Sequence, residues 1–155
     1  MSDTFHFPKY SVVLSHVRVT LDLTGMEDRF NEAQEWFGQR VLQDCRSKMP
    51  HLTGSLQQRS HTEDGGRKVV FPGPYARYLY GGRVMVDSET GKGPRKIPTG
   101  PNEYILRFRK GATLKPTNRR LKYSNPEARD HWFDAAKAEY GDQWVEELKK
   151  RLGGR

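Results

Sequence analysis

Three tyrosines and an arginine fall within six residues, as Tyr75, Arg77, Tyr78 and Tyr80, and Arg83 follows just beyond. Tyrosine offers a large apolar ring with a polar tip, and arginine a planar fork of donors. Both are enriched where one protein surface meets another. The same stretch can equally serve as a core plug that clips a sheet to a helix, and the residue types alone leave both readings open. No phosphate loop or nucleophile elbow lies here.

Charge is the second chemical signal. The chain has 155 residues and a net charge of +8. Residues 1–91 hold 11 basic and 11 acidic side chains, and residues 123–155 hold 6 and 7. The window from Lys92 to Lys122 holds 10 basic side chains and 1 acidic. Those ten are Lys92, Arg95, Lys96, Arg107, Arg109, Lys110, Lys115, Arg119, Arg120 and Lys122. A block of this kind implies a polyanion or an acidic protein surface as its neighbour. Its chemistry is electrostatic contact without base readout, because no helix is basic along one face.

Catalytic and metal chemistry find no pattern. His6, His16, His51, His61 and His131 do not pair with other ligating residues at metal-site spacings, so no metal or other cofactor is expected. No P-loop, G-x-S-x-G or H-E-x-x-H occurs. The single cysteine, Cys45, reads as a small core residue of a helix rather than a nucleophile. A small RNA-cleaving enzyme working through scattered Tyr, Arg, Lys and His residues remains an alternative, as does a basic nucleic-acid-binding module.

Positioning these residues requires a folded scaffold, and the pattern supplies one. One domain over residues 1–155 is the default at this length. Hydrophobic residues make up 34% and charged residues 30%, so little apolar surface is spare. No apolar run approaches the ~20 residues of a membrane span, and Met1–Lys9 has no secretory pattern. Synthesis in a reducing intracellular compartment is therefore expected. Residues 1–9 read as an arm, with Phe5 and Phe7 available for docking.

Residues 17–23 alternate in period two and predict a strand. Met26 to Lys48 carries apolar residues three and four apart, including Phe30, Ala33, Phe37, Val41 and Cys45, and predicts a long helix. Thr24 with Glu27 suggests a capping box. Gly38 inside that helix suggests a close crossing by another backbone. Leu56–His61 predicts a solvated edge strand, Asp64-Gly65-Gly66 a hairpin turn, and Arg67–Phe71 the returning strand. Pro74 opens a helical turn that places Tyr75, Tyr78 and Leu79 on one side, and Gly81-Gly82 ends it.

Arg83–Asp87 predicts a strand, 88–101 a long mobile basic loop, and Tyr104–Arg109 a strand with Tyr104, Leu106 and Phe108 on one face. Residues 111–122 read as irregular. Asn125-Pro126-Glu127 predicts a helix start, and the apolar stripe through Trp132 continues it to a break at Gly141-Asp142. A final helix carries Trp144, Val145, Leu148 and Leu152. The class is α+β: a long amphipathic helix packed on a small antiparallel sheet, with C-terminal helices.

The order of motifs carries a resemblance. After the long helix come Leu52-Thr53-Gly54-Ser55-Leu56 and Ser60, then Gly73-Pro74-Tyr75-Ala76-Arg77-Tyr78 with Gly81-Gly82. Leu106-Arg107-Phe108 follows, then Asn125-Pro126-Glu127-Ala128 with His131-Trp132-Phe133 and Ala136-Lys137. From Met26 to Leu152 this resembles the minor capsid proteins of long-tailed bacteriophages, a branch of the neck and tail-completion family that joins head to tail.

The resemblance implies a structural virion protein without enzymatic activity, assembled in the bacterial cytoplasm as a ring, often sixfold, around the DNA channel. Its implied partners are further copies of itself, other neck and tail proteins, and genomic DNA through non-specific contact. It implies no membrane. The chain departs from the family in an added N-terminal strand and a longer basic loop, Lys92–Pro101.

Overall fold

A computed structural model of the chain describes residues 10–14, 17–51, 54–73 and 75–153. The arm at residues 1–9 and Pro74 lie outside them. Two long helices carry the core: α1 spans Thr24–Lys48 and α4 spans Trp132–Arg151. Val41 and Cys45 of α1 and its C-cap Met49 fall every fourth residue and meet Trp132, Ala136 and Trp144 of α4 in one buried cluster. Residues four apart share a helix face, so both helices bury a stripe. Phe37 lies edge-on to Trp144 at 6.3 Å, and Trp132 receives Phe71 at 5.6 Å and Tyr80 at 4.8 Å. Phe37 and Trp132 thus share one core, as their stripes require. Cys45 is fully buried, and burial pushes its thiol up to about 12, with the Asp44 carboxylate adding to the shift.

Around this pair run short antiparallel ladders. β1 (Tyr10–Leu14) and β2 (Val17–Leu21) form a hairpin in which Tyr10 faces Leu21. β2 is the expected period-two strand; β1, which has no alternation to mark it, was not expected. β3 (His61–Glu63) and β4 (Lys68–Val70) form the second hairpin. Asp64 and Gly65 turn it with φ of 51° and 60°, the left-handed pair such a turn needs.

β5 (Arg83–Asp87) pairs with β8 (Leu114–Arg120), and β6 (Arg95–Gly100) pairs with β7 (Glu103–Arg107). The fold is α+β, with its antiparallel structure divided into four two-stranded ladders. Two short helices complete it, α2 (Ser55–Arg59) and α3 (Ala76–Gly81).

Several local expectations fail for identifiable reasons. Leu56–His61 is no edge strand for most of its length. Gly54 at φ 75° turns the chain into α2, and Gln57 donates to the Arg46 carbonyl at 3.0 Å, at the end of α1. That single turn lets Leu56 pack on the core. The expected loop 88–101 is a turn only in its first part, because β6 occupies Arg95–Gly100. The irregular stretch 111–122 contains β8. Both strands expose most of their side chains, β8 owing its order to the distant β5 and β6 to its hairpin partner β7, so no apolar alternation announces them.

The N-cap of α1 is Leu23 rather than Thr24. Leu23 makes no side-chain cap, and its carbonyl accepts from the Met26 and Glu27 N–H groups at 2.9 and 3.1 Å. Asn125-Pro126 does not start a helix; α4 begins at Trp132 and passes through Gly141-Asp142 unbroken. A single glycine costs about 1 kcal/mol in a helix, less than burying Trp144 on the same face contributes.

Asn125 has another task. Its carbonyl oxygen accepts from the His51 N–H at 3.1 Å, and its amide donates to the Met49 carbonyl at 3.1 Å. Ser124 donates to the His51 carbonyl at 2.9 Å, and the Arg129 N–H donates to the Lys48 carbonyl at 2.9 Å. The strap from 124 to 129 therefore satisfies the end of α1, where helical carbonyls lack intrahelical partners.

Candidate assembly surface

α3 divides the surface into two grooves. Its N-cap residue Tyr75, with Tyr78 and Leu79, faces a groove of about 560 Å³. Arg77 and Tyr80 face a second groove of about 1050 Å³, which runs between α1, β4 and α4. The three- and four-residue spacing sets this division, since Tyr75, Tyr78 and Leu79 lie on one side of a helical turn. Gly82, at φ 66°, ends the helix, and a Cβ there would lie 2.5 Å from that of Asp130.

The core-plug reading of the tyrosine stretch holds for one of its residues. Tyr80 is a core residue. Its ring meets Trp132 edge-on, and its hydroxyl donates to Asp134 at 3.0 Å. Burial first, and then that bond, push its hydroxyl up to about 12. Tyr75 and Tyr78 are half-buried along the smaller groove, and Arg77 is exposed, donating to the Tyr78 hydroxyl.

The smaller groove gathers residues far apart in sequence. Arg83 and Lys122 line it with the tyrosines, and Tyr104, Leu106 and Phe108 form its opposite wall. Tyr104 and Leu106 are the half-buried positions of β7, as the period-two reading of that strand requires. Lys96 reaches over the Tyr104 ring, 4.7 Å from its centre, at a distance where a cation is attracted to the ring face. Arg83 donates to the Asn118 carbonyl at 3.1 Å across the β5–β8 ladder.

The basic window divides into one engaged arginine and nine exposed cations. Arg109 is held by Asp87, whose carboxylate it meets at 2.7 and 3.4 Å, and by Glu89. Asp87 is 3% exposed. It also accepts from the Glu89 N–H at 2.9 Å. The Arg109 guanidinium, and then that N–H, hold the Asp87 carboxyl down at about 2. Arg109 is thereby a clamp on the turn after β5 and is taken out of the set of contact candidates. Lys92, Arg95, Lys96, Arg107, Lys110, Lys115, Arg119, Arg120 and Lys122 are all exposed. Among the described residues none of these nine pairs with a carboxylate.

Two cross-strand pairs concentrate this charge. Arg95 stands opposite Arg107 in the β6–β7 ladder, and Arg83 opposite Arg120 in the β5–β8 ladder. Like charges directly opposite are destabilising in an isolated sheet. A surface that carries them is suited to meet negative charge. Among the described residues no three metal-ligating side chains stand together. No helix of the described residues is long and apolar enough to cross a membrane.

Comparison with models of protein families, with characterised proteins and with solved structures finds no match for the chain.

Proposed function

We propose that the chain is a structural virion protein of the phage neck, assembled as a ring around the DNA channel and joining head to tail. The observation that carries this reading is the display, among the described residues, of nine exposed cations without a carboxylate partner, six on the two ribbons and three in the segments flanking their strands, beside a tyrosine-lined groove. Such a surface is built for contact rather than for turnover. The motif order from Met26 to Leu152 supports the family, and the α+β scaffold with its long helix agrees with the architecture that family implies.

The partners are further copies of the chain and other neck and tail proteins. The contact with genomic DNA is non-specific, because no rigid basic helix is offered to a groove. Rings of identical chains need two different complementary patches on each copy. Low apolar content leaves little area for an obligate interface, so a monomer is expected in dilute solution, with the ring formed on its neck partners.

A second reading rests on the arginine pairs. Their spacing also suits phosphates, which would make the chain a free-standing nucleic-acid-binding module. A reconstruction of the virus particle separates the two. The neck reading predicts a closed ring of this chain between head and tail; isolated single copies, or absence from the particle with tight DNA binding by the monomer, favour the second.

A further inference from the structure

The β6–β7 ribbon has an outer face of mixed character. Arg95 faces Arg107, and Ile97 faces Ile105. Side chains alternate along a strand, so these four share one face of the ribbon. The isoleucines are 37% and 40% exposed, among the most exposed large apolar side chains of the described residues. A ribbon that only tracked phosphates would have no use for an apolar pair beside its cations. An arginine pair next to an isoleucine pair fits a protein surface that is acidic with an apolar neighbour.

The chain itself offers such a surface. Asp28, Glu32 and Glu35 follow one another on α1 at spacings of four and three, which places them on one helical face. All three are exposed, and among the described residues none pairs with a cation. Trp36, four residues on from Glu32 and half-buried, flanks the carboxylates, with the Arg151 guanidinium over its ring, 4.2 Å from the centre. The spacings correspond. The isoleucine pair lies two residues along the strands from the arginine pair, ~6.6 Å, and Trp36 lies four residues along the helix from Glu32, a rise of ~6 Å.

We propose that the β6–β7 ribbon of one copy docks on the α1 face of the next, Arg95 and Arg107 against the carboxylates and Ile97 and Ile105 toward Trp36. This rests on the ring reading and specifies its subunit contact. The contact joins two different patches, so it propagates head to tail and closes where the rotation allows. It weakens with salt.

Cys45 is fully buried, which leaves an introduced cysteine as the accessible thiol. The test mixes an Ile97→Cys protein with a Glu32→Cys protein at high concentration and low salt, with a short bismaleimide cross-linker. The expected result is a mixed dimer in excess of both homodimers. Adding Arg95→Glu and Arg107→Glu to the first protein should abolish it, and Asp28→Arg with Glu35→Arg in the second should then restore it. Melting curves check that each variant is folded.

Statistical pairing, or homodimers alone, overturns the proposal. Light scattering of the parent chain separates it from the ring reading. Self-association of the parent without the mixed dimer sinks this contact and leaves the ring. A parent that stays monomeric at high concentration, with no mixed dimer, sinks both. If the reversed arginines abolish retention of a random-sequence DNA duplex and no mixed dimer forms, the ribbon is a nucleic-acid contact and the proposal is wrong.

Discussion

Gly38, midway along α1, and Gly66, in the turn of the β3–β4 hairpin, bring two backbones into direct contact. A Cβ on Gly38 would lie 2.4 Å from the Gly66 carbonyl oxygen, and one on Gly66 would lie 2.4 Å from the Gln34 carbonyl oxygen. Both neighbours are backbone atoms and cannot swing aside. The crossing seats the hairpin on the helix and, through Val69 and Phe71, closes the core over Trp132.

Gly38→Ala should therefore destabilise the protein. Alanine's helix propensity would favour the variant by about 1 kcal/mol, but overpacking costs about 1–3 kcal/mol. Gly66→Ala should cost more, because Gly66 also sits at φ 86°. Denaturant melts of the two variants check this order; a stabilised Gly38→Ala protein would mean the hairpin is free to move off the helix.

Trp132→Ala should cost about 3–5 kcal/mol and leave little folded protein, since Trp132 is 1% exposed and holds Phe71 and Tyr80. Trp132→Phe should be far milder. The indole N–H has no hydrogen-bond partner among the described residues, and phenylalanine removes that buried donor while keeping a ring. Equal melting midpoints for Trp132→Ala and the parent would contradict the shared core.

Asn125→Ala should lower stability by removing the acceptor of the His51 N–H and one of two side-chain donors to the Met49 carbonyl, Gln57 remaining at 3.4 Å. These bonds are exposed or partly buried, so the loss should be about 0.5–1.5 kcal/mol. Had Asn125 capped a helix of its own, the effect would appear as fraying near 126. Amide exchange distinguishes the cases: faster exchange at His51 is expected, with α4 unchanged.

Acid should loosen the turn after β5 before the core. Asp87 has its carboxyl held at about 2 in the folded chain, against about 3.9 when unfolded. A depressed carboxylate pKa contributes stability that is fully present above the unfolded value and is lost as pH falls through the folded one. The melting midpoint of the parent should thus drop between about pH 4 and 2. Asp87→Asn should start lower at neutral pH and fall less over that window. Parallel pH curves for the two proteins would remove Asp87 from the account.

The parts of the fold that were readable in advance are those that announce themselves locally. The stripe through Phe37, Val41 and Cys45 follows the helical period, and Asp64-Gly65-Gly66 demands left-handed turn residues. Gly38 was readable too, as a gap in a helix that otherwise fills its positions. β6 and β8 were not, because residues such as Lys96 and Asn118 are exposed and the strands' order comes from backbone pairing, β6 with the adjoining β7 and β8 with the distant β5. Asn125-Pro126 misled for a different reason: the amide that caps a helix start can equally close another helix's end, and only the tertiary structure chooses. At the surface, composition marked the tyrosines and the basic window. The neutralisation of Arg109 by Asp87, and the placing of Tyr75 and Lys122 along one groove, depend on tertiary structure that spacing does not encode.

The central claim is that the basic ribbons serve assembly. Charge reversal of Arg95, Lys96, Arg119 and Arg120 to glutamate tests it most directly, since all four are exposed. Surface substitutions of this kind usually change stability by about 0.5 kcal/mol or less each. On the proposed neck role, two quantities are read together: the melting temperature of the purified variant, and the yield of particles with heads joined to tails. The account predicts a nearly unchanged melting temperature and a collapse in joined particles. A normal yield of joined particles at full expression of the variant would contradict it and leave the charge as a solvated surface.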